Sequence, residues 1–283
     1  MNKTLFLGSS HVGAYKLAAK SNPDLFADID FVGIPRIRFS KCTIKDHFLT
    51  FRNLPDAVKT YSAGKQIGKH FQIDLCAYSN IVLVEGVNPL SPELYSSDKL
   101  FPPLSGELIS KIVDACLADV NHANSALVTE AVKSSSNLIN KISSLSISYH
   151  LKSIRVPSPL PSELIPFHYS SKFTWKELIL RLRNESKAVS DDDLHTQLSS
   201  FETIALKIYA YVNSRNTSFD SVVLPSQHLL SPGLCRTDSK WFSGSVDFDG
   251  TVKESLKQDN DFFHTNSQYA IEMMKSISSF LYC

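Results

Sequence analysis

The sequence predicts an α/β protein built on a doubly wound parallel sheet, and three patterns support that prediction. A strand, a turn and a helix follow one another at the N-terminus. Residues 81–84, Ile-Val-Leu-Val, form an apolar run without polar alternation, which is typical of a strand buried on both faces. Other short apolar runs alternate with segments of helical periodicity. We therefore expect a single domain over residues 1–283.

The opening unit is the clearest local pattern. Residues 5–7 are apolar and end at Gly8, which predicts a strand followed by a turn. From residue 11, apolar side chains recur at helical spacing until Pro23, which predicts the first helix.

Two segments separate this unit from the run at 81–84. Residues 29–32 predict a second strand that ends at Gly33, because Pro35 prevents a simple continuation. Residues 40–75 are irregular and carry glycines, so we expect loops and short helices there.

The rest of the chain predicts two more strands and several helices. Residues 154–156 and 221–224 are the strands, and residues 106–140 and 265–281 have helical periodicity. Residues 162–216 look like extra helices, and we expect them to form a helical insertion or cap on the same domain.

Composition and charge restrict the class of protein. Hydrophobic residues make up 43% of the chain, which is enough for a large core. A net charge of +1 offers no electrostatic basis for binding nucleic acid or a membrane surface. No apolar run approaches the roughly 20 residues that a membrane-spanning helix needs.

The cysteines and the N-terminus predict a cellular compartment. The five cysteines are far apart and show no CxxC pairing, which argues against a zinc site or a disulfide framework. The apolar stretch near the N-terminus is shorter than a signal peptide needs. We expect a cytoplasmic protein without a bound metal.

The turn after the first predicted strand, residues 8–13 (Gly-Ser-Ser-His-Val-Gly), completes none of three known motifs. A phosphate-binding P-loop needs Lys and then Ser or Thr where Ala14 and Tyr15 stand. The glycines do not match a dinucleotide fingerprint, and Val12 interrupts a nucleophile elbow. The simplest interpretation is a turn in which Ser10 lies near the N-cap of the helix.

A carboxylate and an imidazole stand three residues apart in Asp261-Phe262-Phe263-His264. At this spacing two side chains share one face of a helical turn. A carboxylate in that position can fix the tautomer of the histidine and stabilise its imidazolium, as in a catalytic triad. A purely structural Asp–His pair is the alternative, and Asp259 is an alternative carboxylate.

A third polar block, Gly86-Val87-Asn88, follows the strongest predicted strand. Glycine allows a backbone to approach a ligand closely, and an Asn amide can donate to an oxyanion, although ordinary turns contain both residues. Ser10 and Gly33 also follow predicted strands, and the carboxyl ends of parallel strands form one edge where ligands bind. Together with the Asp–His pair, these blocks predict an acyl-transfer site.

The same four blocks, in the same order, resemble the SGNH (GDSL-type) hydrolase superfamily. The resemblance spans residues 8–264 and implies a flavodoxin-like three-layer α/β/α fold with a central five-stranded parallel sheet. It further implies a serine hydrolase, an esterase or acyltransferase, that cleaves or transfers small acyl esters on carbohydrate. No cofactor is implied.

The resemblance also implies a role for each matched residue. Ser10 would be the nucleophile, His264 the general base and Asp261 its orienting carboxylate. The backbone N–H groups of Ser10 and Gly33 and the side chain of Asn88 would form the oxyanion hole. His11 and Gly86 would line the substrate site.

The sequence departs from the family pattern in two places. Ser9 replaces the Asp of the family's first block and is a rival nucleophile, and Pro89 replaces the last Asp of the third block. Gly33 matches the second block by position only, so Gly64 or Gly68 could take its place.

These departures keep alternatives open. A catalytically inactive SGNH-fold protein that binds glycans or acts as a scaffold is one, and a nucleotide-binding α/β protein is another, disfavoured by the incomplete P-loop. His168 and His228 could also contact a substrate.

Overall fold

The structure is a computed structural model, and it describes residues 3–8, 10–33, 42–52, 64–84, 149–157, 159, 220–230, 237–244 and 264–282. The elements, in chain order, are β1 (Thr4–Gly8), α1 (Val12–Ser21), β2 (Ile29–Gly33), β3 (Cys42–Lys45), β4 (Phe48–Arg52), β5 (Lys65–Ile67), β6 (His70–Asp74), β7 (Asn80–Val84), β8 (Lys152–Val156), β9 (Ser221–Val222) and α2 (Ser267–Leu281). Short 3-10 helices lie at Leu75–Ala77, Gln227–Leu229 and Ser239–Trp241.

The chain has an α/β fold, and in its described residues the centre is a five-stranded parallel sheet in the order β2-β1-β7-β8-β9. Numbered along the chain within this sheet, the order is 2-1-3-4-5. All five strands expected from the apolar runs are present. Every residue of β1 and β7 is buried, which confirms that these runs lie inside the protein on both faces of the sheet.

The two helices α1 and α2 pack against each other and against one face of this sheet. The apolar residues that give residues 265–281 their helical periodicity are buried there, including Ala270, Met273, Met274 and Ile277. The helix begins at Ser267 rather than at residue 265, because Asn266 occupies the N-cap position.

A second sheet, with antiparallel strands in the order β3-β4-β6-β5, occupies the described part of residues 40–75. The prediction of loops and short helices there is wrong. Leu49 and Phe51 of β4 pair with Ile73 and Phe71 of β6, and all four are buried, whereas the residues between them are polar. This alternation with period 2 is the signal of a half-buried strand, but each run is only five residues long.

The glycines that favoured loops, Gly64 and Gly68, lie at the two ends of β5. Gly68 has φ +60° in the two-residue connection between β5 and β6, and Gly64 has φ +89° just before β5. Such left-handed conformations suit glycine, and Gly68 shapes the turn of the β5–β6 hairpin.

The second sheet contacts the segments that lead into β7 and β8. The Leu75 N–H donates to the His47 carbonyl oxygen (3.0 Å), and the Tyr149 hydroxyl donates to the Asp46 carbonyl oxygen (3.1 Å). Because these segments enter the amino ends of the central strands, the second sheet lies on the side away from their carboxyl ends.

Two predicted helical regions, residues 106–140 and 162–216, lie outside the described residues, and so a single domain with a helical cap stays a prediction. In the ranges that the structure does describe, none of the helices combines the length and the apolar character required to cross a membrane.

Candidate active site

The carboxyl edge of the central sheet is defined by three aligned residues. Gly8 at the end of β1 is the register partner of both Gly33 on β2 and Val84 on β7. The chain passes from β1 outward to β2 and then returns to β7 on the other side of β1, so the strand order reverses beside β1. In open parallel sheets, ligands bind at the carboxyl edge where the order reverses in this way.

The turn after β1 leaves the sheet at this edge. The Gly13 N–H donates to the Ser10 carbonyl oxygen (3.0 Å), which closes the turn into α1. His11 occupies the N-cap position of α1, so Ser10 lies one residue before the cap. The Ser10 side chain is half-buried.

The Ser10 hydroxyl lies beside His264, although the two residues are 254 positions apart in the sequence. The distance from His264 Nε2 to Ser10 Oγ is 2.7 Å. When the ring hydrogen is on Nδ1, Nε2 accepts the hydrogen bond that the serine donates. This is the contact by which a histidine can take a proton from a serine nucleophile.

A second imidazole stands next to this pair. The ring centroids of His11 and His264 are 5.3 Å apart, and their planes are inclined by 37°. Ser10, His11 and His264 are all half-buried, so they remain partly accessible. We call these three residues the serine–histidine cluster.

Two buried tyrosines, one on α1 and one on α2, belong to the core between these helices and the central sheet. Tyr15 follows His11 by four residues on α1, and Tyr269 lies in the first turn of α2. Burial raises the pKa of Tyr15, and the nearby Tyr269 raises it further; burial likewise raises the pKa of Tyr269. Both phenols therefore stay neutral over the physiological pH range and add no charge near the cluster.

The other predicted site residues are distributed as follows. Gly33 lies at the same edge as Ser10, whereas its rivals Gly64 and Gly68 belong to the second sheet. His228 is mostly exposed and lies 3.4 Å from the Glu272 carboxylate of α2. Outside the described residues lie Ser9, Gly86, Asn88, Pro89, His168, Asp259 and Asp261.

Asn266 lies two residues after His264 and is not one of the predicted site residues. Its side chain accepts a hydrogen bond from the Tyr269 N–H (3.0 Å) and so caps α2. An Asn directly before a run of helical periodicity is an N-cap signal that the sequence does contain.

In the part of the chain that the structure describes, no three His, Cys, Asp or Glu side chains are grouped so that they could hold a metal ion.

No family model, curated protein or solved structure matches this chain.

Proposed function

We propose that this protein is a serine esterase or acyltransferase of the SGNH type. The observation that carries the proposal is the 2.7 Å contact between Ser10 Oγ and His264 Nε2 at the carboxyl edge of a parallel sheet. A hydroxyl and an imidazole in this arrangement can act as the nucleophile and general base of acyl transfer. Both side chains are partly accessible, as groups that must meet a substrate need to be.

In the proposed reaction, Ser10 Oγ attacks the carbonyl carbon of an ester while His264 Nε2 takes the serine proton. The negative charge that develops on the carbonyl oxygen is stabilised by the backbone N–H groups of Ser10 and Gly33 and by the Asn88 amide. His264 returns the proton to the leaving alcohol, and Asp261 holds the imidazole in the required tautomer. Water then releases the acyl group in a hydrolase, and a sugar hydroxyl accepts it in a transferase.

The order 2-1-3-4-5 of the central sheet supports the flavodoxin-like arrangement that the proposal requires. Small acyl esters on carbohydrate are the proposed substrates. The family's Asp residues that are absent at positions 9 and 89 are not members of the proposed triad, so the triad is complete without them.

A fluorophosphonate probe tests this proposal, because it reacts covalently with an activated serine. We expect one label per chain on the wild type, no label on Ser10→Ala, and a wild-type label on Ser9→Ala, the matched control in the same turn. Intact-mass measurement counts the labels, and peptide mapping locates them.

Two results would overturn the proposal. A folded wild-type protein that is not labelled would favour the alternative of an inactive glycan-binding or scaffold protein. Labelling that survives Ser10→Ala but is lost in Ser9→Ala would assign the nucleophile to the neighbouring serine.

A further inference from the structure

Asn266 forms a hydrogen bond through every polar group that it has. Its side-chain amide donates to the carbonyl oxygens of Lys240 (3.0 Å) and Ser243 (2.9 Å), and its side-chain oxygen accepts from the Tyr269 N–H. Its backbone N–H donates to the Trp241 carbonyl oxygen (2.7 Å), and its own carbonyl accepts from the Ala270 N–H (3.4 Å). Asn266 therefore joins the start of α2 to the turn formed by residues 239–244.

This turn is held in place by contacts that do not involve Asn266. The Asp238 side chain accepts from the Lys240 N–H (3.0 Å), and the Asp238 N–H donates to the Leu229 carbonyl oxygen (3.2 Å). The ring of Trp241 also meets the ring of Tyr269 edge-on, with centroids 6.3 Å apart. These contacts fix the position of the turn, so the hydrogen bonds of Asn266 to the turn can also fix the position of the start of α2.

The segment held in this way carries His264. Thr265, between His264 and Asn266, is buried, so the three residues have little freedom to move separately. Asparagine is suited to this position because it provides one acceptor for the helix cap and two donors for the two carbonyls. Asp and Ser can also cap a helix, but neither provides two side-chain donors.

We propose that Asn266 is a positioning residue, which holds His264 at hydrogen-bond distance from Ser10 by joining its segment to the 239–244 turn. The inference rests on the proposed function, because it assigns Asn266 a role in the same site. A misplacement of about 1 Å of a catalytic group can lower a rate on the order of 10²-fold. Loss of the two donated hydrogen bonds should therefore affect reactivity more than stability.

Asn266→Ser tests the proposal, since serine keeps the cap and lacks the two amide donors. Asn80→Ser is the matched control: Asn80 is buried at the amino end of β7, where its amide donates to Thr4 Oγ1 (3.1 Å). We expect fluorophosphonate labelling of folded Asn266→Ser to slow on the order of 10²-fold, and Asn80→Ser to be labelled at the wild-type rate. Asn266→Asp, which has no side-chain donor, should behave like Asn266→Ser.

A second measurement does not depend on catalysis. The His264 ring nitrogen signals in an NMR spectrum should shift when Ser10→Ala removes the hydroxyl, and this response should be lost in the Asn266→Ser background. Retention of the response, or wild-type labelling of Asn266→Ser, would overturn the positioning role. Equal slowing in Asn80→Ser would also overturn it, because general destabilisation would then explain the effect.

The two measurements separate this inference from the proposed function. If the wild type is not labelled but the NMR response is present and is lost in Asn266→Ser, the proposed function fails while the positioning role stands. If the wild type is labelled and Asn266→Ser is labelled equally fast, the proposed function stands and the positioning role fails.

Discussion

A side chain on Gly8 would collide with the carbonyl oxygen of Val84, its register partner on β7. The same added Cβ would lie 2.8 Å from Cγ2 of Val12, in the first turn of α1. The backbone of β7 and a side chain of α1 therefore both approach Gly8 closely where the central strands end. The close approach fixes the path by which the chain leaves β1 toward Ser10.

Gly8→Ala should therefore both destabilise the protein and displace the Ser10 turn. Overpacking a tight site typically costs about 1–3 kcal/mol, because backbone or neighbouring side chains have to move. We expect a lower free energy of unfolding in urea and, in the protein that is still folded, slower fluorophosphonate labelling of Ser10.

Gly68→Ala is the control for this experiment. An added Cβ there meets nothing within 4 Å, but φ is +60°, so the cost of about 1–2 kcal/mol comes from the left-handed backbone. Gly68 lies in the second sheet, and labelling of Gly68→Ala should remain at the wild-type rate. Wild-type labelling of Gly8→Ala would show that the Ser10 turn does not depend on this close approach.

The central strands could be predicted because their signal is local. Residues 5–7 and 81–84 are continuous apolar runs, and burial on both faces needs no other information. The second sheet was missed because Leu49 and Phe51, or Phe71 and Ile73, alternate with polar residues over strands of only five residues. The pairing of Leu49 with Ile73 and of Phe51 with Phe71, between β4 and β6, supplies the stability that the single runs do not indicate.

The sequence could predict which residues form the candidate site, but not the distances between them. The contact between Ser10 and His264 depends on the packing of α2 against α1, which joins the two ends of the chain. The role of Asn266 was missed because its two donated hydrogen bonds go to backbone carbonyls of a distant turn. Because every residue has a backbone carbonyl, the sequence does not indicate which carbonyls accept these hydrogen bonds, and only the structure shows them.

The identity of the carboxylate that orients His264 can be tested by a matched pair of variants. Asp261→Asn removes the charge that stabilises the imidazolium and favours the wrong tautomer, which in a Ser-His-Asp triad lowers kcat on the order of 10⁴-fold. We expect this loss for hydrolysis of an activated ester by Asp261→Asn. Asp259→Asn makes the same chemical change two residues earlier and should leave kcat unchanged; the reverse result would assign the orienting role to Asp259.

Three tyrosines that are buried in the described part of the chain predict how stability changes at alkaline pH. Burial raises the pKa of Tyr15, Tyr78 and Tyr269 above that of a free phenol, and for Tyr78 the hydrogen bond to Asp30 (2.7 Å) adds to the effect. Above a pH of about 10 the unfolded chain loses protons that the folded chain keeps. The free energy of unfolding therefore falls as pH rises above that value, whereas it is unaffected by these groups at lower pH.

Tyr269→Phe isolates one of these contributions. Within the described residues the Tyr269 hydroxyl is buried without a hydrogen-bond partner, so its removal should not lower stability at pH 7. One unit above the phenol pKa of the unfolded chain, the variant should gain about 1.4 kcal/mol relative to the wild type. Circular dichroism and tyrosinate absorbance, followed together against pH, measure both effects.

Tyr282 provides a matched control substitution outside the core. Its side chain is 66% exposed, so Tyr282→Phe makes the same chemical change without altering the packing between α1 and α2. In Tyr269→Phe the midpoint should move to higher pH, because one fewer buried phenol favours the unfolded chain as it ionises. An unchanged midpoint in Tyr269→Phe would contradict this prediction. It would mean that the Tyr269 phenol ionises in the folded protein, with water entering the core between α1 and α2 at no cost in free energy of unfolding.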